Sequence, residues 1–184
     1  MKDNYPPTLL TSGEPHRLAR LAKQAQRIEG DFAEVGVYQG GSAAILCEVK
    51  GDKTLHLFDT FEGIPKVSEI DKDYYVGQFA ANIEDVKQNL SKFPKIKFHK
   101  GIFPDTAGAV AQKRFAFVHI DVDTYESTIA CLKFFYHRVN KGGLIVIHDY
   151  HCDSIKKAID EFLVDKQQKV NKIGVVFCLI VKRE

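Results

Sequence analysis

Short runs rich in apolar, β-branched and aromatic residues alternate with amphipathic stretches along most of the chain. Phe32–Val35, Thr54–Phe58, Ile96–Lys100, Phe115–Ile120 and Leu144–Ile147 are each four to six residues long and read as buried strands. The stretches around them have helical spacing. Glu14–Arg27 places Leu18, Leu21, Ala22 and Ala25 on one face, and Gly30 is the stop signal expected after it. Further helices are predicted over Ser42–Val49, Asn82–Lys92, Thr106–Gln112, Tyr125–Val139 and Lys156–Leu163, with Gly142 and Gly143 closing the Tyr125 helix. Two last runs, a weak one at Lys169–Asn171 and a strong one at Val175–Val181, turn through Gly174 and form a hairpin. Strand and helix alternation of this kind predicts an α/β, Rossmann-like doubly wound sheet: seven strands, mostly parallel, with an antiparallel strand at the C-terminal end.

Two segments break the rhythm. Residues 1–13 carry Pro6, Pro7 and Gly13 and read as an irregular arm, with Ser12 a candidate cap or site residue. Residues 64–80 are polar and longer than an ordinary connection, and hold adjacent Tyr74 and Tyr75; they suit a lid or a solvated linker. At 184 residues the chain is expected to form a single domain. Its charge is nearly balanced, 26 Lys and Arg against 24 Asp and Glu, with the bases scattered, which argues against a nucleic-acid partner. No run is long enough to span a bilayer and the first residues lack the apolar stretch of a leader, so a cytoplasmic location away from membranes is expected. Four cysteines, at 47, 131, 152 and 178, form no zinc-type spacing; three sit in apolar runs, and Cys152 follows a polar segment.

The chemistry gathers at strand ends. After Phe32–Val35 the chain enters Gly36-Val37-Tyr38-Gln39-Gly40-Gly41-Ser42, a turn whose glycines let the backbone bend sharply and lie close to a ligand. Its spacing is neither Gly-x-Gly-x-x-Gly nor a phosphate loop, and Glu34 just before it suits a cationic or amine-bearing ligand. Asp59 ends the second strand, 25 residues beyond Glu34, where a carboxylate accepts from two vicinal ribose hydroxyls. Thr60, Phe61 and Gly63 follow it, with Phe61 a candidate to pack on an adenine, and Gly101 and Ile102 leave the third strand at the same edge. Asp121, Asp123, His148 and Asp149 come off the next two strands. The oxygens of Asp121 and Asp149 suit Mg²⁺ or a similar divalent cation, with His148 or Asp123 completing the protein's share and helix capping as the alternative role of Asp121 and Asp149.

Together, Glu34-Val-Gly-Val-Tyr-Gln-Gly-Gly-Ser42, Phe58-Asp-Thr-Phe-Glu-Gly-Ile-Pro65, Lys100-Gly-Ile-Phe-Pro-Asp-Thr106, Ile120-Asp-Val-Asp-Thr-Tyr-Glu-Ser127 and His148-Asp-Tyr150 resemble the macrocin O-methyltransferase (TylF-like) family. The resemblance, which runs from about residue 30 to residue 162, implies a class I methyltransferase fold. It also implies O-methylation of a small-molecule hydroxyl, typically on a sugar, with S-adenosylmethionine and Mg²⁺ or Mn²⁺. Carried over by position, Glu34, Gly36, Tyr38, Gly40, Gly41, Ser42, Asp59, Thr60, Phe61, Gly63, Gly101 and Ile102 would bind the cofactor. Asp121, His148 and Asp149 would hold the metal, with Asp121, Asp123 and His148 catalytic. One departure matters: His148 stands where the family usually has the first Asp of Asp-Asp-Tyr, which turns the expected metal toward Mn²⁺ or Fe²⁺, or removes it. Thr124 replaces the lysine base of catechol-type relatives, leaving Asp121, Asp123, His148 and His151 as candidate bases. A cofactor-binding protein without transferase activity is the alternative function, and a homodimer is an expected assembly.

Overall fold

The computed structural model describes residues 5–183, so the first four residues of the expected arm lie outside the described residues. Seven strands form one sheet: β1 (Asp31–Val35), β2 (Leu55–Asp59), β3 (Ile96–Lys100), β4 (Phe115–Ile120), β5 (Val139–Ile147), β6 (Val170–Ile173) and β7 (Phe177–Val181). Their spatial order is β3-β2-β1-β4-β5-β7-β6. β1 to β5 pair parallel, and β7 enters antiparallel between β5 and β6, so that among the described strands six run one way and β7 the other. The order reverses between β1 and β4, which opens a crevice at the carboxyl edge of the sheet.

Helices cover both faces because successive strand residues point to opposite sides. Phe32, Leu55, Leu57, Phe117 and Val146 pack with α1 (Glu14–Ala25), α2 (Gly41–Val49) and α3 (Ile83–Leu90). Ala33, Val35, Phe58, Val118 and Ile145 face the other way, onto α4 (Tyr125–Phe135) and α5 (Asp153–Leu163). The helix predicted at Thr106 is a short 3-10 helix, Asp105–Val110. Among the described residues no helix is long and apolar enough to cross a membrane.

Three boundaries differ from the sequence pattern. α1 ends at Ala25, ahead of Gly30, whose positive φ serves a different purpose: a Cβ there would lie 2.8 Å from the carbonyl oxygen of Arg114, where β4 begins. Ser12 makes no capping bond; the residue at the cap is Gly13. α4 stops at Phe135, and Val139 already belongs to β5, paired with Phe115. The partner of Phe117 is then Leu144, so residues 140–143 bulge out of the strand. Gly142 and Gly143, which look like a helix stop, build that bulge: Gly142 donates to the Lys182 carbonyl and Lys182 to that of Gly143.

Candidate active site

The glycine turn is shaped by the backbone beside it. Gly36 has φ +86°, and a Cβ on it would overlap the main chain of Asp121, where β4 ends. Gly41 opens α2 under the N-terminal arm: a Cβ there would press on Thr8 and come within 2.9 Å of the Pro7 carbonyl oxygen. Asp59 holds the turn from the neighbouring strand. Its Oδ2 accepts from the N–H groups of Val37 (2.6 Å) and Tyr38 (2.9 Å), and its Oδ1 from Phe61 N–H (2.6 Å). Three of about four acceptor directions on this carboxylate are thus occupied.

A cavity of about 450 Å³ opens above this edge of the sheet. The predicted residues Gly36, Tyr38, Gly41, Ser42, Asp59, Thr60, Gly63, Gly101 and Ile102 lie on its wall, as do Asp121, Asp123, His148, Asp149 and His151. Glu34, Gly40 and Phe61 do not. Alternation in β1 turns Glu34 to the face of Phe32, where it is fully buried with its Oε1 2.8 Å from Nδ1 of His119, its register partner on β4. Burial pushes the Glu34 carboxyl up, against the pull of His119. Phe61 is packed in the core beside α2 and α3 instead of lying open to a ligand.

Two segments close the cavity over. Residues 7–11 of the arm form one wall. The 64–80 segment is folded, not a loose linker: Ile64 donates to the Gln78 carbonyl and Gly77 to that of Ile64, both at 2.9 Å. Buried Asp71 ties it down by accepting from Ser68 Oγ (2.6 Å) and from the first amide of α4, Tyr125 N–H (2.9 Å). Tyr74, Gln78 and Phe79 face the cavity, and Phe79 meets Tyr38 edge-on. Nothing in the spacing of these residues announced that role, apart from the paired tyrosines.

The acids converge on the floor. Ligand atoms of Asp121, His148 and Asp149 all lie within 4.8 Å of one another. His148 Nδ1 is 3.0 Å from Asp149 Oδ1 and 3.3 Å from Asp121 Oδ1, yet both ring nitrogens are buried without a hydrogen-bond partner. Burial alone would lower the His148 pKa; the two carboxylates outweigh it and push the imidazole up to about 11. Burial would likewise raise Asp121, and His148 outweighs it and holds that carboxyl below its usual range. For Asp123 the balance is reversed: burial first, then the charges of Asp121 and Asp149, outweigh the pull of His148 and push it up to about 8. Asp123 and Asp149 both have left-handed backbone, as do Tyr38 and Phe61, so unfavourable non-glycine conformations gather at this edge. Two carboxylates and an unpartnered buried imidazole nitrogen fit a divalent cation, and the nitrogen favours a first-row transition metal over Mg²⁺. A proton on His148 and such a cation are alternative ways to neutralise the same pair of acids.

One carboxylate at this site has no counterpart in the sequence pattern. Glu14, the first residue of α1, lines the cavity and approaches His148 from behind.

Strand order, helix placement and the site at the topological switch are those of class I methyltransferases. The O-methyltransferase NovP superposes with a TM-score of 0.80 at 24% identity, covering 92% of this chain and 79% of that one. Residues 14–177 match the macrocin-O-methyltransferase (TylF) family, and the chain belongs to it. Demethyldecarbamoylnovobiocin O-methyltransferase of Streptomyces niveus is 30% identical over 174 residues, 80% of this chain. A tetracenomycin rhamnosyl 4'-O-methyltransferase of Streptomyces olivaceus is 30% identical over 155 residues, 75% of this chain. The chain spans 59% and 65% of the lengths of the S. olivaceus and S. niveus relatives, respectively.

Proposed function

We propose that the protein transfers the methyl group of S-adenosylmethionine to a hydroxyl of a sugar unit in a small metabolite, with a divalent cation held by Asp121, His148 and Asp149. The observation that carries this reading is the convergence of those three side chains in the cavity that the glycine turn also lines, with Gly36 packed against Asp121. Family membership and the relative named as a rhamnosyl-tetracenomycin 4'-O-methyltransferase support the class of reaction.

Each residue has a task in this reading. Asp59 fixes the amides of Val37 and Tyr38, so the turn is preorganised beneath the cofactor, and its remaining acceptor position is open to a ribose hydroxyl. Gly41 and Ser42 start α2 at the cavity wall, where amides without intrahelical partners suit a carboxylate. Asp121, His148 and Asp149 would hold the cation beside the acceptor, and a cation bound there would supply the charge that lowers the pKa of the acceptor hydroxyl. Asp123, which lines the cavity beside them, takes the hydroxyl proton on a carboxylate oxygen when ionised. The arm and the 64–80 segment exclude water from the reacting groups.

Calorimetric titration with S-adenosylmethionine, with and without Mn²⁺ or Mg²⁺, tests the reading. Expected are cofactor binding in the wild type and in Asp149→Ala, and metal binding in the wild type alone. Cofactor binding with no metal site would move the protein to the alternative of a binder without metal-assisted transfer. An absence of cofactor binding would end the methyltransferase reading.

A further inference from the structure

Glu14 is out of place for a residue in the first turn of a helix. Such carboxylates ordinarily sit in solvent and interact with the helix dipole. This one is 5% exposed, although it opens α1 beside the arm. Thr11 donates to it twice, from its backbone N–H and from its hydroxyl, each at 2.7 Å. The Oε2 atom that receives the Thr11 amide also lies 3.7 Å from Nε2 of His148, on the opposite side of the ring from Asp121 and Asp149. The imidazole therefore stands between a pair of carboxylates at Nδ1 and a single carboxylate at Nε2. Phe177 meets it edge-on, 5.0 Å between ring centres, and limits its rotation.

A neutral imidazole binds a metal through one nitrogen, and the partner of the other nitrogen decides which one is free. We propose that Glu14 is the positioning residue for His148: it accepts the Nε2 proton and so directs the Nδ1 lone pair at the cation held with Asp121 and Asp149. The inference rests on the metal reading above and deepens it. A carboxylate at position 148 would instead face Glu14 as a like charge. The 3.7 Å separation is within ion-pair range but longer than a hydrogen bond, so the contact has to shorten when the site is loaded. Tethering the arm through Thr11 is the competing role for Glu14, and it makes no reference to His148.

Mn²⁺ titration of the wild type, Glu14→Gln, His148→Asp and the double variant separates the two roles. With His148 present, Glu14→Gln should weaken Mn²⁺ binding about 10- to 100-fold, the usual effect of losing a carboxylate behind a ligating histidine. With His148→Asp present, the same substitution should leave the affinity within about twofold or improve it. In protein loaded with diamagnetic Zn²⁺, the histidine ¹⁵N spectrum should place the His148 proton on Nε2. Equal losses in both backgrounds would make Glu14 a tether only and overturn the proposal, as would a proton on Nδ1. Mn²⁺ binding unaffected by Glu14→Gln overturns it while leaving the metal reading intact. A wild type that binds no divalent cation overturns both.

Discussion

Gly36 and Asp121 share a space too small for a side chain. Asp121 N–H donates to the Val35 carbonyl at 2.9 Å, which brings the end of β4 against the first residue of the glycine turn. A Cβ on Gly36 would overlap the Asp121 carbonyl, and its φ of +86° is unfavourable for any L-residue. The glycine thus sets the position of a residue that the metal reading needs. Gly36→Ala is expected to cost about 2–5 kcal/mol from the left-handed backbone and overpacking together. Chemical denaturation measures that loss; a change under 1 kcal/mol, on the order of a surface substitution, would contradict this account of the turn.

Asp59 tests whether cofactor affinity and turn geometry can be separated. Its carboxylate accepts three backbone N–H groups on two oxygens, and Asn has one acceptor oxygen. Asp59→Asn is therefore expected to lose about 1–3 kcal/mol of stability by leaving at least one amide unpaired. S-adenosylmethionine affinity should fall with it. Calorimetry and thermal melts on the same preparation check both. Weakened cofactor binding at unchanged stability would mean that the side chain acts on the ribose alone.

Whether His148 tunes the metal can be read from the metal's identity. His148→Asp presents three oxygen donors, so preference should move from Mn²⁺ toward Mg²⁺ by on the order of tenfold. Competition titrations give the ratio, and an unchanged ratio would place His148 outside the coordination sphere.

The strand ends were the legible part of this molecule. Apolar runs that stop at a glycine or an acid mark one edge of a parallel sheet, so the sequence alone groups Gly36, Asp59, Asp121 and Asp149, and all four line the cavity. Side-chain direction and long-range packing are not legible in the same way. Adjacency to the turn suggests a ligand for Glu34, and strand alternation sets its side chain against His119. Phe61 follows Asp59 at the same edge, and its left-handed backbone sets its ring in the core. Gly142 and Gly143 carry the same local signal whether they end a helix or bulge a strand; pairing with Lys182, some 40 residues away, decides. Glu14 meets His148 only because α1 packs beside β5, and no local pattern encodes that approach.

A histidine pair on the opposite flank makes stability depend on pH. His56 Nδ1 lies 3.0 Å from His99 Nε2, and His56 Nε2 lies 3.2 Å from Asp31. Burial lowers the pKa of both rings from the usual value of 6.5. Neutral rings are thus favoured in the folded protein. Their contribution is fully present above the unfolded value and is lost as pH falls through the folded ones. The wild type should melt at lower temperature at about pH 5 than at about pH 7.5, and His56→Gln/His99→Gln should narrow the difference. A variant that is just as acid-sensitive would assign the effect to other groups.

The mouth of the cavity carries apolar surface that a small polar substrate would not need. Leu9 and Ile102 line the cavity while 60% and 48% exposed. Tyr75 and Val76, 66% and 61% exposed, follow Tyr74 in the segment that covers it. A sugar attached to an apolar or aromatic body would seat its hydroxyl near Asp121 and leave that body against this rim. Covering part of one such side chain is worth about 1 kcal/mol, so Leu9→Ser and Leu9→Asn should each raise the acceptor KM about fivefold with kcat unchanged. With a free sugar as acceptor the same variants should have wild-type KM, because nothing would reach the rim. If the free sugar and its conjugate respond alike, the rim does not select the acceptor.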